Sequence, residues 1–254
     1  MQTILITGCS SGFGLEIAKD FLKKGWRVIA TMRNPQQNPL PPSENLQVLK
    51  LDVTDASNIA EVAKIAGPID VLVNNAGVGL AAVLEGVPMA TVRSLFESNT
   101  FGLMALTQAF LPQFRAQGHG TIINVSSSVT LRPLPMLSVY AATKAAVNIF
   151  SECLGMELAP FNVQVKLLLP GMAPETTFGQ NGMAMMERQG VSVPEAYTDF
   201  VSPIFASFTE PKDVSQLTQA KDVVAAVWQA IDDPNGPMKI PAGVDAQQEA
   251  ASQR

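Results

Sequence analysis

Tyr140 and Lys144 are the side chains whose types and spacing are best suited to move a proton. In Tyr140-Ala141-Ala142-Thr143-Lys144 they stand four apart, which puts both on one face of a helix. A free phenol titrates near pH ~10 and is a poor base at neutral pH. A neighbouring ammonium favours the phenolate, so proton exchange with an alcohol or carbonyl oxygen becomes feasible. The same spacing also arises on solvated helix faces. With only two tyrosines in the chain, chance is a weaker account of it here.

A second group of residues is suited to bind a phosphate. Thr7-Gly8-Cys9-Ser10-Ser11-Gly12-Phe13-Gly14 follows the first apolar run and precedes a helical pattern. Glycines there turn the chain tightly, admit a ligand close to backbone, and let helix pack on strand. The helix offers free N–H groups and a positive dipole end. The spacing is G-x-x-x-G-x-G, and a plain tight turn would use glycines too. Gly8-Cys9-Ser10-Ser11-Gly12 also fits G-x-S-x-G, a hydrolase nucleophile turn. That alternative needs Ser10, then Asp52 or Asp70, then His119, the only histidine. His119 enters a strand at its amino end, the wrong end of a sheet for a partner of Ser10.

The elements that must hold these groups alternate. Apolar strand runs are read at 2–7, 26–31, 46–51, 69–73, 121–125, 163–169 and 238–240. Helical periodicity is read at 13–24, 55–66, 91–117, 139–158 and 220–231. Continuous apolar strands alternating with helices predict an α/β, doubly wound (Rossmann) parallel sheet of about seven strands, with helices on both faces. Ligands in such sheets sit beyond the carboxyl ends of the strands. Residues 34–45 carry four prolines, which predicts a loop crossover. Residues 172–211 are Met-rich and poorly periodic, which predicts a substrate loop or lid, or a surface insertion. No domain boundary stands out, so the expectation is a single unit over 1–254.

Composition removes other classes. Of 254 residues 47% are hydrophobic and 15% charged, so a sizeable core is expected and disorder is not. Net charge is −5 with no basic run, which argues against nucleic acid as a partner. Apolar runs fall well short of the ~20 residues that span a bilayer. The first residues lack a signal-peptide pattern, and Cys9 and Cys153 make no disulfide framework. The expectation is a cytoplasmic protein without membrane, nucleic-acid or metal partners.

Taken in order, the glycine turn, Asp52-Val53, Asn74-Asn75-Ala76-Gly77, Asn99, Ile123-Asn124-Val125-Ser126-Ser127, Tyr140 with Lys144, and Pro170-Gly171 resemble the short-chain dehydrogenase/reductase family, single-domain type. The likeness covers about residues 1–171. Gly243-Val244-Asp245-Ala246 resembles the end of steroid- and retinol-type members.

The resemblance implies hydride transfer between a nicotinamide and a carbonyl or alcohol carbon. It assigns Tyr140 as general acid/base, Lys144 as its electrostatic partner and ribose contact, Ser127 as the substrate-oxygen contact, and Asn99 as support for a water relay. The bland reading of Asn99 is an amide filling a backbone gap. It gives cofactor binding to Gly8, Ser10, Ser11, Gly12, Phe13, Gly14, Asp52, Val53, Asn74, Ala76, Gly77, Pro170 and Gly171. It makes a homodimer or homotetramer the expectation. Cofactor choice is argued from charge. The second strand leads into Arg33 with no acid, and a guanidinium pairs with a 2′-phosphate that a carboxylate would repel. The expectation is NADP(H), unless Arg33 points to solvent. A small-molecule, hydrophobic substrate is expected against Val78, Leu80, Leu134, Met136, Leu137 and methionines of 172–186. A non-catalytic NADP(H) sensor or scaffold of the same fold is the alternative.

Overall fold

A computed structural model describes residues 1–209 and 213–253. Seven strands form one parallel sheet: β1 (Thr3–Thr7), β2 (Arg27–Met32), β3 (Leu46–Lys50), β4 (Val71–Asn74), β5 (Gly120–Val125), β6 (Val163–Pro170) and β7 (Lys239–Ala242). Their order is β3-β2-β1-β4-β5-β6-β7. The chain therefore reverses direction across the sheet between β1 and β4, where a doubly wound sheet opens its crevice.

Strand side chains alternate between two buried layers. Ile4 and Ile6 face α1 (Gly12–Lys23) and α8 (Ala220–Asp232), against Ile17, Phe21, Val223 and Val227. Leu5 faces the opposite layer of α2 (Ala56–Ala66), α4 (Gly102–Gln117) and α5 (Ser138–Leu158), against Ile59, Phe110 and Leu154. Burial on both faces is why the strands read as unbroken apolar runs. Helix ends follow local chemistry. Asp55 accepts from the N–H groups of Ser57 and Asn58 at the start of α2, and Gly118 ends α4 at φ 67°.

Two readings are corrected. The single helix expected over 91–117 is α3 (Met89–Phe96), a π-helical turn over Glu97–Phe101, and α4. The turn lets the Asn99 carboxamide reach the Val78 backbone, accepting from its N–H at 2.8 Å and donating to its carbonyl at 2.9 Å. The segment expected as a loop holds α6 (Phe178–Arg188) and α7 (Thr198–Thr209); its residues 210 and 211 lie outside the described residues. Within it α6 buries only Gly182 and Met185. The C-terminal residues, left unassigned above, form α9 (Val244–Ser252). In the proline-rich crossover Pro35–Gln37 makes a single 3₁₀ turn, and Leu40 anchors the loop in the core.

Candidate active site

A cavity of about 250 Å³ opens along the carboxyl ends of β1, β2, β4, β5 and β6. Its floor is the glycine turn. Gly8 and Gly12 adopt φ 75° and 58°, which other residues reach only with strain. A Cβ on Gly14 would sit 2.5 Å from the Gly8 carbonyl oxygen, so glycine there sets how closely α1 meets the turn. Gly14 thus packs behind the cavity, while Gly8, Ser10, Ser11, Gly12 and Phe13 line it. Ser11 caps α1 without a side-chain hydrogen bond, which leaves first-turn N–H groups for a ligand.

Asn75, absent from the expected contacts, fastens this turn. Its Nδ2 donates to the Thr7 carbonyl at 2.8 Å and lies 3.4 Å from that of Gly8. The Thr7 hydroxyl in turn accepts from the N–H groups of Asn75 and Ala76, each at 2.9 Å. Asn74 does not reach the cavity. Strand alternation turns it inward, where it donates to Thr107 and Asn124. Ala76 and Gly77 line the cavity beside Asn75.

At one end lie Arg33, Asp52 and Val53. Arg33 is exposed and has no ion pair among the described residues. At the other end lie Ser127, Tyr140, Lys144, Pro170 and Gly171. Tyr140 and Lys144 are both buried in α5. Burial pushes the Tyr140 phenol up to about 12, and a hydrogen bond with Ser127 pulls the other way. This differs from the expectation of a phenol lowered by its lysine, because desolvation dominates. Burial also lowers Lys144, to about 8. The Ser126 hydroxyl faces Asn148 instead of Tyr140. Asn99 is buried outside the cavity wall, its carboxamide also donating to Thr143 at 3.2 Å.

The expected apolar pocket is largely elsewhere. Of its named residues Val78 lines the cavity. Leu80 and Met185 pack in a core beside Tyr140, Met136 packs with Val83 and Val201, and Leu134 is exposed. The aromatic wall is Phe178, whose ring centroid lies 5.9 Å from that of Tyr140. Thr176, Thr177 and Asn181 join it, and Thr177 donates to the Ser11 hydroxyl at 2.8 Å. Thr176 and Thr177 stand slightly late for the threonine that the resemblance places after Pro170-Gly171, and no sequence pattern marks Phe178 or Asn181, which α6 brings over the cavity.

His119 lies at the amino end of β5, 3.4 Å from Asp70, while Ser10 lines the cavity at the opposite end of the sheet. Cys9 is buried with its thiol pushed up to about 12 by desolvation. Among the described residues no cluster of three or more His, Cys, Asp or Glu forms a metal site, and no helix is long and apolar enough to cross a membrane.

Comparison with known proteins gives a consistent set of likenesses. Residues 2–186 match the model of the short chain dehydrogenase family. The chain is 40% identical over 178 residues to the uncharacterized oxidoreductase YusZ of Bacillus subtilis, covering 66% of this chain and 63% of that protein. It is 39% identical over 181 residues to human retinol dehydrogenase 8, covering 67% and 58%. It thus spans about six-tenths of these relatives' length. A short chain dehydrogenase from Burkholderia cenocepacia, solved in complex with NADP, superposes with a TM-score of 0.79 at 27% identity, over 99% of this chain and 94% of that one.

Proposed function

This chain belongs to the short-chain dehydrogenase family, and from that premise we propose that it transfers a hydride between NADP(H) and a hydrophobic carbonyl or alcohol substrate. One observation carries the reading: the glycine turn and the Ser127–Tyr140–Lys144 group line a single cavity.

The cavity residues fit a dinucleotide. Gly8, Ser10, Ser11, Gly12 and Phe13 would hold the pyrophosphate against the uncapped start of α1. Asp52 and Val53 would flank the adenine. Arg33 would pair with a 2′-phosphate, which supports NADP(H), as does the NADP bound by the Burkholderia structure. The cofactor supplies the hydride acceptor or donor.

The chain's own groups do the rest. Ser127 and Tyr140 hold the substrate oxygen by hydrogen bonds, and charge grows there in the transition state. Burial keeps the Tyr140 phenol protonated, the form that reduction requires, and it gives its proton to that oxygen. Lys144, fixed in place by the Val125 carbonyl, stabilises the phenolate left behind. Asn99 spends its carboxamide on Val78 and Thr143. Any relay from it toward Lys144 therefore runs through its main chain. Retinol dehydrogenase 8 among the relatives, and Phe178 beside Tyr140, support an apolar substrate. Residues 1–254 are proposed as one cytoplasmic catalytic unit capped by residues 172–209. Ile149 and Met156, exposed on α5, support self-association as a dimer or tetramer.

The test is NADPH oxidation across a panel of hydrophobic ketones and aldehydes. Tyr140→Phe should lower kcat by roughly 10²–10⁴-fold while NADPH binding survives. Tight NADPH binding with no turnover by the wild type across the panel would give the sensor reading instead.

A further inference from the structure

Gly171, Thr218, and the near neighbours Gly243 and Asp245 meet just beyond the end of β6 from three separate stretches of the sequence. The Gly171 N–H donates to Thr218 Oγ1 at 2.8 Å, and the Met172 N–H donates to Asp245 Oδ2 at 2.7 Å. The Thr218 N–H donates to the Met172 carbonyl at 3.1 Å. The buried Thr218 hydroxyl lies 2.7 Å from the Ala242 carbonyl and 2.8 Å from Asp245 Oδ1, and its single proton serves one of them at a time. The two glycines make this possible. A Cβ on Gly171 would collide with the Asp245 carboxylate, and one on Gly243 with the Thr218 hydroxyl.

The place matters because the chain leaves for its cap at Met172 and returns at Thr218. Both ends of that excursion are therefore fastened at one point, beside the Pro170 and Gly171 that line the cavity. The cap delivers Thr176, Thr177, Phe178 and Asn181 to the cavity. Releasing an end of a long loop multiplies its conformations, and a misplaced wall misplaces the substrate.

The geometry points to Asp245, acting with Thr218, as a positioning pair that fixes the cap over the reacting end of the cavity. The kinetic part rests on the oxidoreductase reading above. Shape, not charge, is what the anchor uses. Asparagine at 245 would accept from Met172 through Oδ1 and donate to Thr218 Oγ1 through Nδ2, leaving the threonine proton for Ala242.

Asp245→Ala, Asp245→Asn and Thr218→Val are compared with the wild type in the full chain. The readouts are NADPH affinity by fluorescence, KM and kcat for the best ketone of the panel, and backbone deuterium uptake. Asp245→Ala and Thr218→Val should raise the ketone KM about tenfold and leave NADPH affinity within about twofold. They should speed exchange across 172–209 and leave β1–β5 protected. Asp245→Asn should match the wild type. Asp245→Asn as impaired as Asp245→Ala overturns the proposal. So does wild-type behaviour of the alanine and valine variants, or loss of protection and NADPH affinity throughout the fold. If the wild type turns over no ketone, the oxidoreductase reading fails, and the exchange pattern still decides whether the anchor exists.

Discussion

Lys144 donates from Nζ to the main-chain carbonyl of Val125 at 2.9 Å, so an ammonium on α5 is pinned to the last residue of β5. That bond places the charge beneath the cavity without an acidic partner among the described residues. Burial of the ammonium is costly, and it lowers Lys144 to about 8.

The sign of the resulting pH dependence follows from linkage. A lysine lowered in the folded state is charged in the unfolded chain and neutral in the native one between about pH 8 and its ordinary value of 10.5. The unfolded state then holds more protons, so stability rises with pH in that window. Between pH 8 and 10 this group should add about 2 kcal/mol to the cofactor-free protein. Lys144→Met should lack that rise. Urea unfolding of both proteins at pH 7, 8, 9 and 10 measures it, and parallel curves would refute it.

Arg33 sets the cofactor prediction. Its exposed guanidinium has no acidic partner among the described residues and lines the same cavity as Tyr140 and Lys144. Arg33→Ala should cost NADPH about 10–100-fold in kcat/KM and leave NADH within a few-fold, since a charge-assisted pair with a phosphate contributes on the order of 1.5–3 kcal/mol. Equal use of NADH and NADPH by the wild type would remove the basis for the NADP(H) reading.

Phe178 is expected to shape substrate affinity. A Cβ on Gly79 would lie 2.7 Å from the Phe178 ring, so that glycine is what lets the ring settle beside Tyr140. Phe178→Ala should raise the KM of a hydrophobic ketone about tenfold with little change in NADPH affinity. Gly79→Ala should act in the same direction by displacing the ring. Steady-state kinetics on both variants checks this, and an unchanged KM in each would exclude Phe178 from the substrate wall.

Thr7 should matter to stability more than its size implies. Its hydroxyl is the acceptor for two main-chain N–H groups, those of Asn75 and Ala76. Thr7→Val keeps the shape and removes the acceptor, which should cost about 2 kcal/mol or more. NADPH affinity should fall too, because the same bonds join β1 to the strand that borders the glycine turn. Chemical denaturation and a fluorescence titration measure the two effects; an undiminished midpoint would contradict the argument.

Legibility from sequence tracked the range of the forces involved. The strands were readable because burial on both faces demands unbroken apolar runs, and the glycine turn because φ 75° at Gly8 and 58° at Gly12 demand glycine. The Tyr140–Lys144 pair was readable because four residues make one helical turn. Asn75 stands where Asn74 is expected, since alternation along a strand end decides which of two asparagines faces the cavity. The helices within the expected loop or lid are not legible because α6 buries only Gly182 and Met185, and α7 carries Pro203 inside it.

The amino-acid sequence alone determined the seven strands, the glycine turn and the pairing of phenol with ammonium, because each depends on residues within a few positions of one another. Tertiary structure alone decided the rest. It chose Asn75 over Asn74, set Phe178 beside Tyr140, joined Asp245 to Met172, and raised the phenol it was expected to lower. The last three depend on which distant segments pack together and, for the phenol, on how much water that packing excludes, which no local spacing encodes.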